Sequence, residues 1–552
     1  FTNFVQKSLF IMKDYLVEYP LLLLFIVVSL GYLLGNVKIK GNGLGVAAVL
    51  FTGLAFGAID PRFSIPTIVF QLGLSIFVYS VGLSSGPVFF KAYKENGARD
   101  FLFAMSMLFL TGLTAAFFWW VFDFSAATIT GVYSGSTTNT AALAGVIEFI
   151  NQSGVSNAQG LEKEAVIGYT FSYPMGVLGG IFAIIIMEKL LKVDYQKELE
   201  SLKDKFPLAD KLTSATIRIT NSEIDGLNVR DLKQKYQLNV SFGRVFQGEN
   251  MTLVTWSTNL QLGDGLIAVG EKKELERLTE ILGEPTVSPT LSDNTKYDLR
   301  RIFVSNPEVT GVTIASLNLD EKFDAIITRI RRGDVEMVAT GETVLELGDR
   351  IRFIARREDL ESLSKLFGDS YQQSSKVNLF SFGLGIGLGL LIGSISIPLG
   401  SYGEFKLGYA GGPLIAGLVL GALRRTGKIV WTMSYGSTIT LQQMGLILLL
   451  ASIGIGSGAA FIDSMGMDKV WVFLAGTGVS LFTALATLFV GFKIMKMPFS
   501  LLIGMVANQP AILDFAMERT GNRIPMFGFS QIFPIALIMK IVIAQILFIV
   551  LS

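Results

Sequence analysis

Gly168-Tyr169-Thr170-Phe171-Ser172-Tyr173-Pro174 and Gly528-Phe529-Ser530-Gln531-Ile532-Phe533-Pro534 read as two copies of one motif, each set in a long apolar run. Earlier in the chain, Gln71-Leu72-Gly73 pairs with Gln443-Met444-Gly445, 372 residues apart. At that same offset Ser80, Gly82, Ser85, Gly86 and Phe89 match Ser452, Gly454, Ser457, Gly458 and Phe461. Gly-rich helices resemble one another by chance, but several colinear matches sharing an aromatic-Pro pair indicate a duplication.

The duplicated parts are apolar. Uncharged runs cover 19–37, 41–59, 63–90, 101–122, 124–147 and 165–187 in the first half. In the second they cover 377–403, 407–423, 429–462, 470–492, 497–513 and 524–539. About 20 apolar residues cross a bilayer as a helix, so these are membrane segments. The first run has Lys7, Lys13, Asp14 and Glu18 before it and no small-residue cleavage site behind it, and so reads as a retained helix.

Between the halves, 193–376 is charged throughout and repeats internally at an offset of 85. Gly226 pairs with Gly311, Leu232 with Leu317 and Arg244 with Arg329. Leu262-Gly263-Asp264 pairs with Leu347-Gly348-Asp349, and Leu275, Leu278 and Gly283 pair with Leu360, Leu363 and Gly368. Each copy predicts a strand (215–220; 300–304), a short helix, further strands around the Leu-Gly-Asp turn, and an amphipathic helix. The expected domains are a first membrane half at 1–192, α+β modules at 205–287 and 293–370, and a second membrane half at 377–552.

Of 552 residues 51% are hydrophobic and 16% charged, and the net charge of +1 gives no reason to expect nucleic acid as a partner. There is no Cys and no His, which excludes disulfides, Cys/His zinc sites, Cys or His nucleophiles and His-ligated haem. No cofactor and no metal are expected.

Charge placement sets the expected orientation. In the first half Lys38 and Lys40, then Lys91, Lys94 and Arg99, mark inner loops. The loop 148–164, with Glu148, Glu162, Lys163 and Glu164, fits better outside, so 124–147 must enter and leave from one side as a re-entrant hairpin. In the second half Arg424, Arg425 and Lys428, then Lys493 and Lys496, then Glu518, Arg519 and Arg523 fall inside, and 497–515 is the hairpin. Five crossings plus one hairpin per half give an inverted repeat. Both termini are then outside and 193–376 is cytoplasmic, the plan of many secondary transporters.

Non-helical backbone at membrane depth is tolerated only where protein buries it or it lines a cavity, which makes the hairpins the candidate site. The first holds Ser136, Thr137, Thr138, Asn139 and Thr140; the second holds Asn508, Gln509 and Pro510, with Asp514 one turn on. Such residues either cradle a carboxylate with side-chain donors and free helix-start N–H groups, or merely cap broken helix ends. Lys540, about 18 Å of helix from the C-terminus, is too deep to snorkel easily. It either binds an anionic substrate group or pairs with Asp514. Tyr173-Pro174 and Phe533-Pro534 either kink their helices to line a cavity or serve packing.

The segments 77–87 (FVYSVGLSSGP) and 408–417 (GYAGGPLIAG), and two membrane halves around paired modules, resemble the aspartate:alanine exchanger family of bacterial transporters. The modules resemble the C-terminal domain of potassium-channel regulatory subunits (TrkA-C, or RCK-C). The resemblance covers essentially the whole chain. It implies an inner-membrane exchanger of small amino acids or dicarboxylates such as aspartate and alanine, a homodimer working by an elevator-type movement. It also implies a small anionic or zwitterionic substrate and modules that either bind a nucleotide-type effector or only dimerise. The family's hairpins read Thr-Ser/Asp-Thr/Pro-Pro-Ala-Leu, whereas 138–143 here is TNTAAL and 508–513 is NQPAIL. The alternative is a ligand-gated channel or cation transporter regulated by the modules. A channel would want a repeated carbonyl filter, and the only comparable string, 130–134 (TGVYS), occurs once. An enzyme lacks its catalytic equipment here.

Overall fold

The computed structural model describes residues 11–36, 46, 48–152, 157–202, 212–248, 250–286, 297–333, 335–372, 376–398, 404–463, 466, 469–507, 510–522 and 524–552. It divides into two compact units.

The membrane unit begins with α1 (Pro20–Gly35), bent by 104° from the preceding helical stretch Ile11–Glu18. Pro20 at the first position of α1 causes the break, since it has no N–H to continue the earlier helix. Next come α2 (Ala48–Ile59), α3 (Thr67–Phe122), α4 (Ala126–Ser136), α5 (Thr140–Gln152), α6 (Ala158–Leu191) and the short α7 (Tyr195–Leu202). The second half supplies α12 (Leu379–Gly393), α13 (Gly408–Leu423), α14 (Tyr435–Asp463), α15 (Lys469–Phe489), α16 (Phe499–Val506), α17 (Pro510–Thr520) and α18 (Ile524–Leu551). Helices α4/α5 and α16/α17 are the two broken pairs, at the places the charge pattern requires.

Among the described residues, five helical stretches are long and apolar enough to cross a membrane, or six counting the bent pair. Trp120 and Leu391, 73% and 66% exposed, belong to the apolar outer surface that a bilayer covers. Two expectations need correcting. The stretch 148–164 is not a loop throughout, since α5 runs to Gln152 and α6 begins at Ala158. The basic stretch 91–99 is not a loop: α3 runs unbroken through it. At 1.5 Å per residue α3 is about 84 Å along its axis, too long for one crossing. Its two apolar spans, Thr67–Pro87 and Arg99–Phe122, are separated at Pro87 by the charged segment.

The repeat is visible in the packing. A Cβ on Gly73 would meet the Gly445 oxygen at 2.8 Å, and one on Gly445 would meet the Gly73 oxygen at 2.6 Å. These repeat-mates therefore face each other where the halves meet, and small residues permit that approach. Gly82 and Gly86 of α3 lie against α13, as their counterparts Gly454 and Gly458 of α14 lie against α2.

The central unit comprises Pro207–Ser381 with Arg424–Thr438. Its first module has β1 (Thr213–Ile219), α8 (Val229–Tyr236), β2 (Ser241–Gln247), β3 (Asn250–Leu253), β4 (Gly265–Gly270), α9 (Lys272–Leu282) and β5 (Gly283–Pro285). The second has β6 (Tyr297–Phe303), α10 (Leu319–Phe323), β7 (Ile326–Arg332), β8 (Val335–Val338), β9 (Arg350–Arg356) and α11 (Leu360–Phe367). The sheet orders β3-β2-β4-β1-β5 and β6-β9-β7-β8 are the same antiparallel topology, with β5 added at one edge. Leu275, Leu278 and Leu282 line one face of α9 and are buried on the sheet, as are Leu360, Leu363 and Phe367 of α11. The Leu-Gly-Asp turn is the same in both copies: Gly263 and Gly348 have φ of 89° and 86°, which only glycine adopts cheaply. Asp264 and Asp349 each accept the backbone N–H three residues earlier, at 2.9 and 2.8 Å.

The loop after α13 folds with this unit. Arg425 donates through Nη1 to the carbonyls of Glu308 and Thr310 at 3.0 and 3.1 Å, and Arg424 Nε lies 3.6 Å from Glu346. Arg425–Thr426 pairs with Ile429–Val430 as a tight hairpin, closed by Trp431 Nε1 donating to Thr426 Oγ1 at 2.8 Å.

Candidate functional site

The first hairpin breaks at 137–139, where Thr138 sits at φ 48°, an uncommon conformation for a β-branched residue. The backbone is nonetheless well satisfied. Thr138 N donates to Gly135 O at 2.9 Å and Asn139 N to Ser134 O at 2.8 Å. Asn139 Oδ1 caps α5 by accepting from Ala142 N at 3.0 Å. A Cβ on Gly135 would collide with Ser172 Oγ and the Tyr169 carbonyl, so α4 and α6 pack backbone to backbone here.

A small cavity of ≈ 70 Å³ opens beside this break. Ser136 and Thr137 reach it from α4, Gly176 and Gly180 from α6, Met505 and Val506 from α16, and Lys540 from α18. Elements of both halves thus converge on it, including Gly180 and Lys540, which occupy corresponding positions in the two repeats. Lys540 is 4% exposed and donates to the Thr137 carbonyl at 3.3 Å. The hydroxyls have their protons engaged: Ser136 Oγ donates to Val132 O at 2.7 Å and Thr137 Oγ1 to Tyr133 O at 2.9 Å. They retain lone pairs, and so meet a solute as acceptors more readily than as donors. The cation of Lys540 is the complementary partner for a carboxylate, and the hydroxyl oxygens and carbonyls suit an ammonium.

Of the remaining sequence candidates, Thr138, Thr140, Tyr173 and Phe533 are placed as follows. Thr140 Oγ1 bonds the Tyr169 hydroxyl at 2.8 Å, and Thr138 Oγ1 is buried with no hydrogen-bond partner. Tyr173 packs in an aromatic cluster with Phe51 and Tyr169, with ring centroids at 6.3 and 5.4 Å, and Pro174 is exposed. Phe533 stacks on Phe529 at 4.7 Å. Asn508 and Gln509 lie outside the described residues; Pro510 opens α17 and Asp514 lies within it, but the side chains of Pro510, Asp514 and Pro534 are likewise outside the description.

Sequence reasoning missed α15. Ser480, Thr483 and Thr487 line the same cavity in a stripe of small hydroxyl residues three and four apart, a spacing readable in an otherwise apolar helix. Ser480 Oγ approaches Gly176 O at 3.4 Å, and Thr483 Oγ1 donates to Val479 O at 2.6 Å.

Two carboxylates fix the frame around the hairpins. Glu148 of α5, 6% exposed, accepts from Tyr409 N and Ala410 N at the start of α13, at 2.5 and 3.3 Å. Glu198 of α7 does the same for α16, accepting from Phe499 N, from Ser500 N at 2.9 Å and from Ser500 Oγ at 2.5 Å. Anions at helix N-termini are stabilising. Glu198→Gln should therefore cost about 1–2 kcal/mol. Thermal unfolding of the purified protein measures this, and an unchanged transition would remove the cap from the account.

Both membrane halves, residues 23–189 and 381–549, match the Asp-Al_Ex family model, described as Predicted Permease Membrane Region. Residues 299–368 match the TrkA-C domain. An uncharacterized transporter of Geobacter sulfurreducens is 42% identical over 97% of this chain and 99% of its own length. Uncharacterized transporters of Symbiobacterium thermophilum and Corynebacterium diphtheriae are 39% and 38% identical, over 98% and 97% of this chain and 100% and 99% of theirs. A solved RCK domain of GsuK covers 30% of this chain and 65% of its own at 12% identity, with a TM-score of 0.16, too slight a likeness to build on. With both halves and the second module matched, and full-length relatives at this identity, the chain belongs to the aspartate:alanine exchanger family of multi-pass membrane transporters.

Proposed function

We propose that this transporter is a secondary active exchanger of small amino acids and dicarboxylates such as aspartate and alanine, a carrier and not an enzyme, in the bacterial inner membrane. The observation that carries the reading is Lys540, a buried lysine whose cavity is otherwise lined, among the described residues, by hydroxyls, glycines and apolar side chains. An intramembrane charge facing a cavity marks a substrate pathway by default. A substrate carboxylate takes Lys540 as its partner, and a substrate ammonium takes the hydroxyl oxygens and carbonyls of α4 and α15.

The packing supports an elevator-type movement. Helices α4 and α15 pack on α6, and α16 packs on α18, so the hairpin arms adhere to the helices that share their cavity. Helix α13 packs on α3, which we assign to the scaffold of a homodimer. The central unit lies on the cytoplasmic side in this reading, with both termini outside.

Counterflow in proteoliposomes is the test. Labelled aspartate or alanine should enter only vesicles loaded with unlabelled substrate. Non-saturating uptake into empty vesicles would instead favour the channel reading. Thr483→Val, which keeps shape and removes the hydroxyl, should raise KM about three- to tenfold with kcat little changed. An unaltered KM would take α15 out of the site.

A further inference from the structure

The central unit encloses a second cavity, of ≈ 330 Å³, lined by strands of both modules. The modules meet through Leu253, Tyr297 and Ile354. Its lining is organised by the repeat: Arg244 and Arg329 both face it, as do Gly243 and Thr328, and Ile267 and Arg352. Each pair is 85 residues apart, so equivalent positions of the two modules face one cavity.

The same irregularity aims the first pair. The ladder β2–β4 shifts register between Phe242 and Arg244, and β7–β9 shifts between Ile327 and Arg329. A bulge re-aims the side chain beside it, and here it serves an arginine in each copy.

These arginines are poorly compensated. The Nε atoms of Arg244, Arg329 and Arg352 are buried without a hydrogen-bond partner. Arg244, 7% exposed, has a Met251 sulfur at 4.0 Å. Arg329 donates to Leu212 O at 2.7 Å and lies 3.6 Å from Glu336. Arg352 sits directly across from Arg329 on one side and Arg301 on the other. Like charges opposed across strands are destabilising. Burial depresses the Arg244 guanidinium, and burial with Arg329 and Arg301 nearby depresses that of Arg352. Among the described residues Asp298 is the carboxylate at the cavity wall, set against three arginines.

We propose that this cavity is a binding site for a small polyanion, whose phosphoryl or carboxylate oxygens engage the forks of Arg244, Arg329 and Arg352 while its body rests on Val269 and Ile354. Guanidinium suits both oxyanions because its planar donors pair with two oxygens at once. The first module has Ile267 where the second has Arg352, so the second module contributes the additional arginine as well as Asp298.

The test is thermal unfolding of the purified full chain with inorganic pyrophosphate and, separately, citrate. Either anion should raise Tm in a saturable way, and which one acts better separates phosphoryl from carboxylate recognition. Arg244→Gln should weaken the response about 10- to 100-fold in concentration. Arg352→Ile, which installs the first module's residue, should raise Tm without ligand and remove the response. Lys540→Met should leave the response intact. The proposal is overturned if neither anion acts, if both arginine variants respond like the wild type, if Arg352→Ile lowers Tm, or if the response disappears with Lys540.

Discussion

Lys540→Met is expected to abolish exchange of carboxylate substrates in proteoliposomes while the protein remains folded. A charge-assisted hydrogen bond is worth about 1.5–3 kcal/mol, or about 10- to 150-fold in affinity, more where water is excluded. Stability should move the other way or not at all. Lys540 is buried, and an apolar side chain of similar length removes a desolvation cost while giving up the polar contacts of the ammonium, the hydrogen bond to Thr137 O among them. Loss of transport with an unchanged or higher Tm separates a substrate role from a scaffold role. Full uptake with unaltered affinity would sink the assignment.

Asp349→Ala is expected to have the largest effect on folding. Its side chain is fully buried and receives Arg332 through Nε and Nη2 at 2.8 and 2.7 Å, as well as Glu346 N. Arg332 would keep Glu346 Oε1 at 2.7 Å and the Val344 carbonyl, so the loss is that of the charge-assisted bonds to Asp349 and of the Glu346 N cap, about 2–4 kcal/mol. The equivalent Asp264→Ala should cost less, about 1–2 kcal/mol, because its side-chain partner is the neutral Gln247 at 3.0 Å. Thermal unfolding of both variants gives the difference. Equal losses would mean that the Leu-Gly-Asp turn, not the ion pair, carries the energy.

Much of the architecture was legible because repetition multiplies weak signals. The Gly73/Gly445 correspondence was visible as spelling and proved to be a contact. Charge placement, acidic at 148–164 and basic around 497–515, pointed to both broken helix pairs. The helical continuity of 91–99 was not legible, since a charged stretch between apolar runs reads equally as loop or helix until its neighbours are known. At the candidate site, Lys540 stood out as a charge where none is cheap. Ser480, Thr483 and Thr487 did not, because a hydroxyl bonded to its own helix, as Thr483 and Thr487 are, or to a neighbouring one, as Ser480 is, looks the same in sequence whether or not a cavity lies beyond it. Arg244 and Arg329 were matched by offset alone; that they share a cavity wall depends on how two sheets face each other.

The hairpin that follows α13 bears on how relatives of this protein can be recombined. Arg424–Thr438 folds with the central unit although the chain reaches it from the second membrane half. Cutting out 193–376 would strip Arg425 of the Glu308 and Thr310 carbonyls and Arg424 of Glu346, leaving the hairpin only its internal bonds. A chimera that transplants the modules from one relative to another must therefore carry two separate pieces of chain. The heritable block is discontinuous, and a graft confined to the linear insert would mismatch donor and host at that loop.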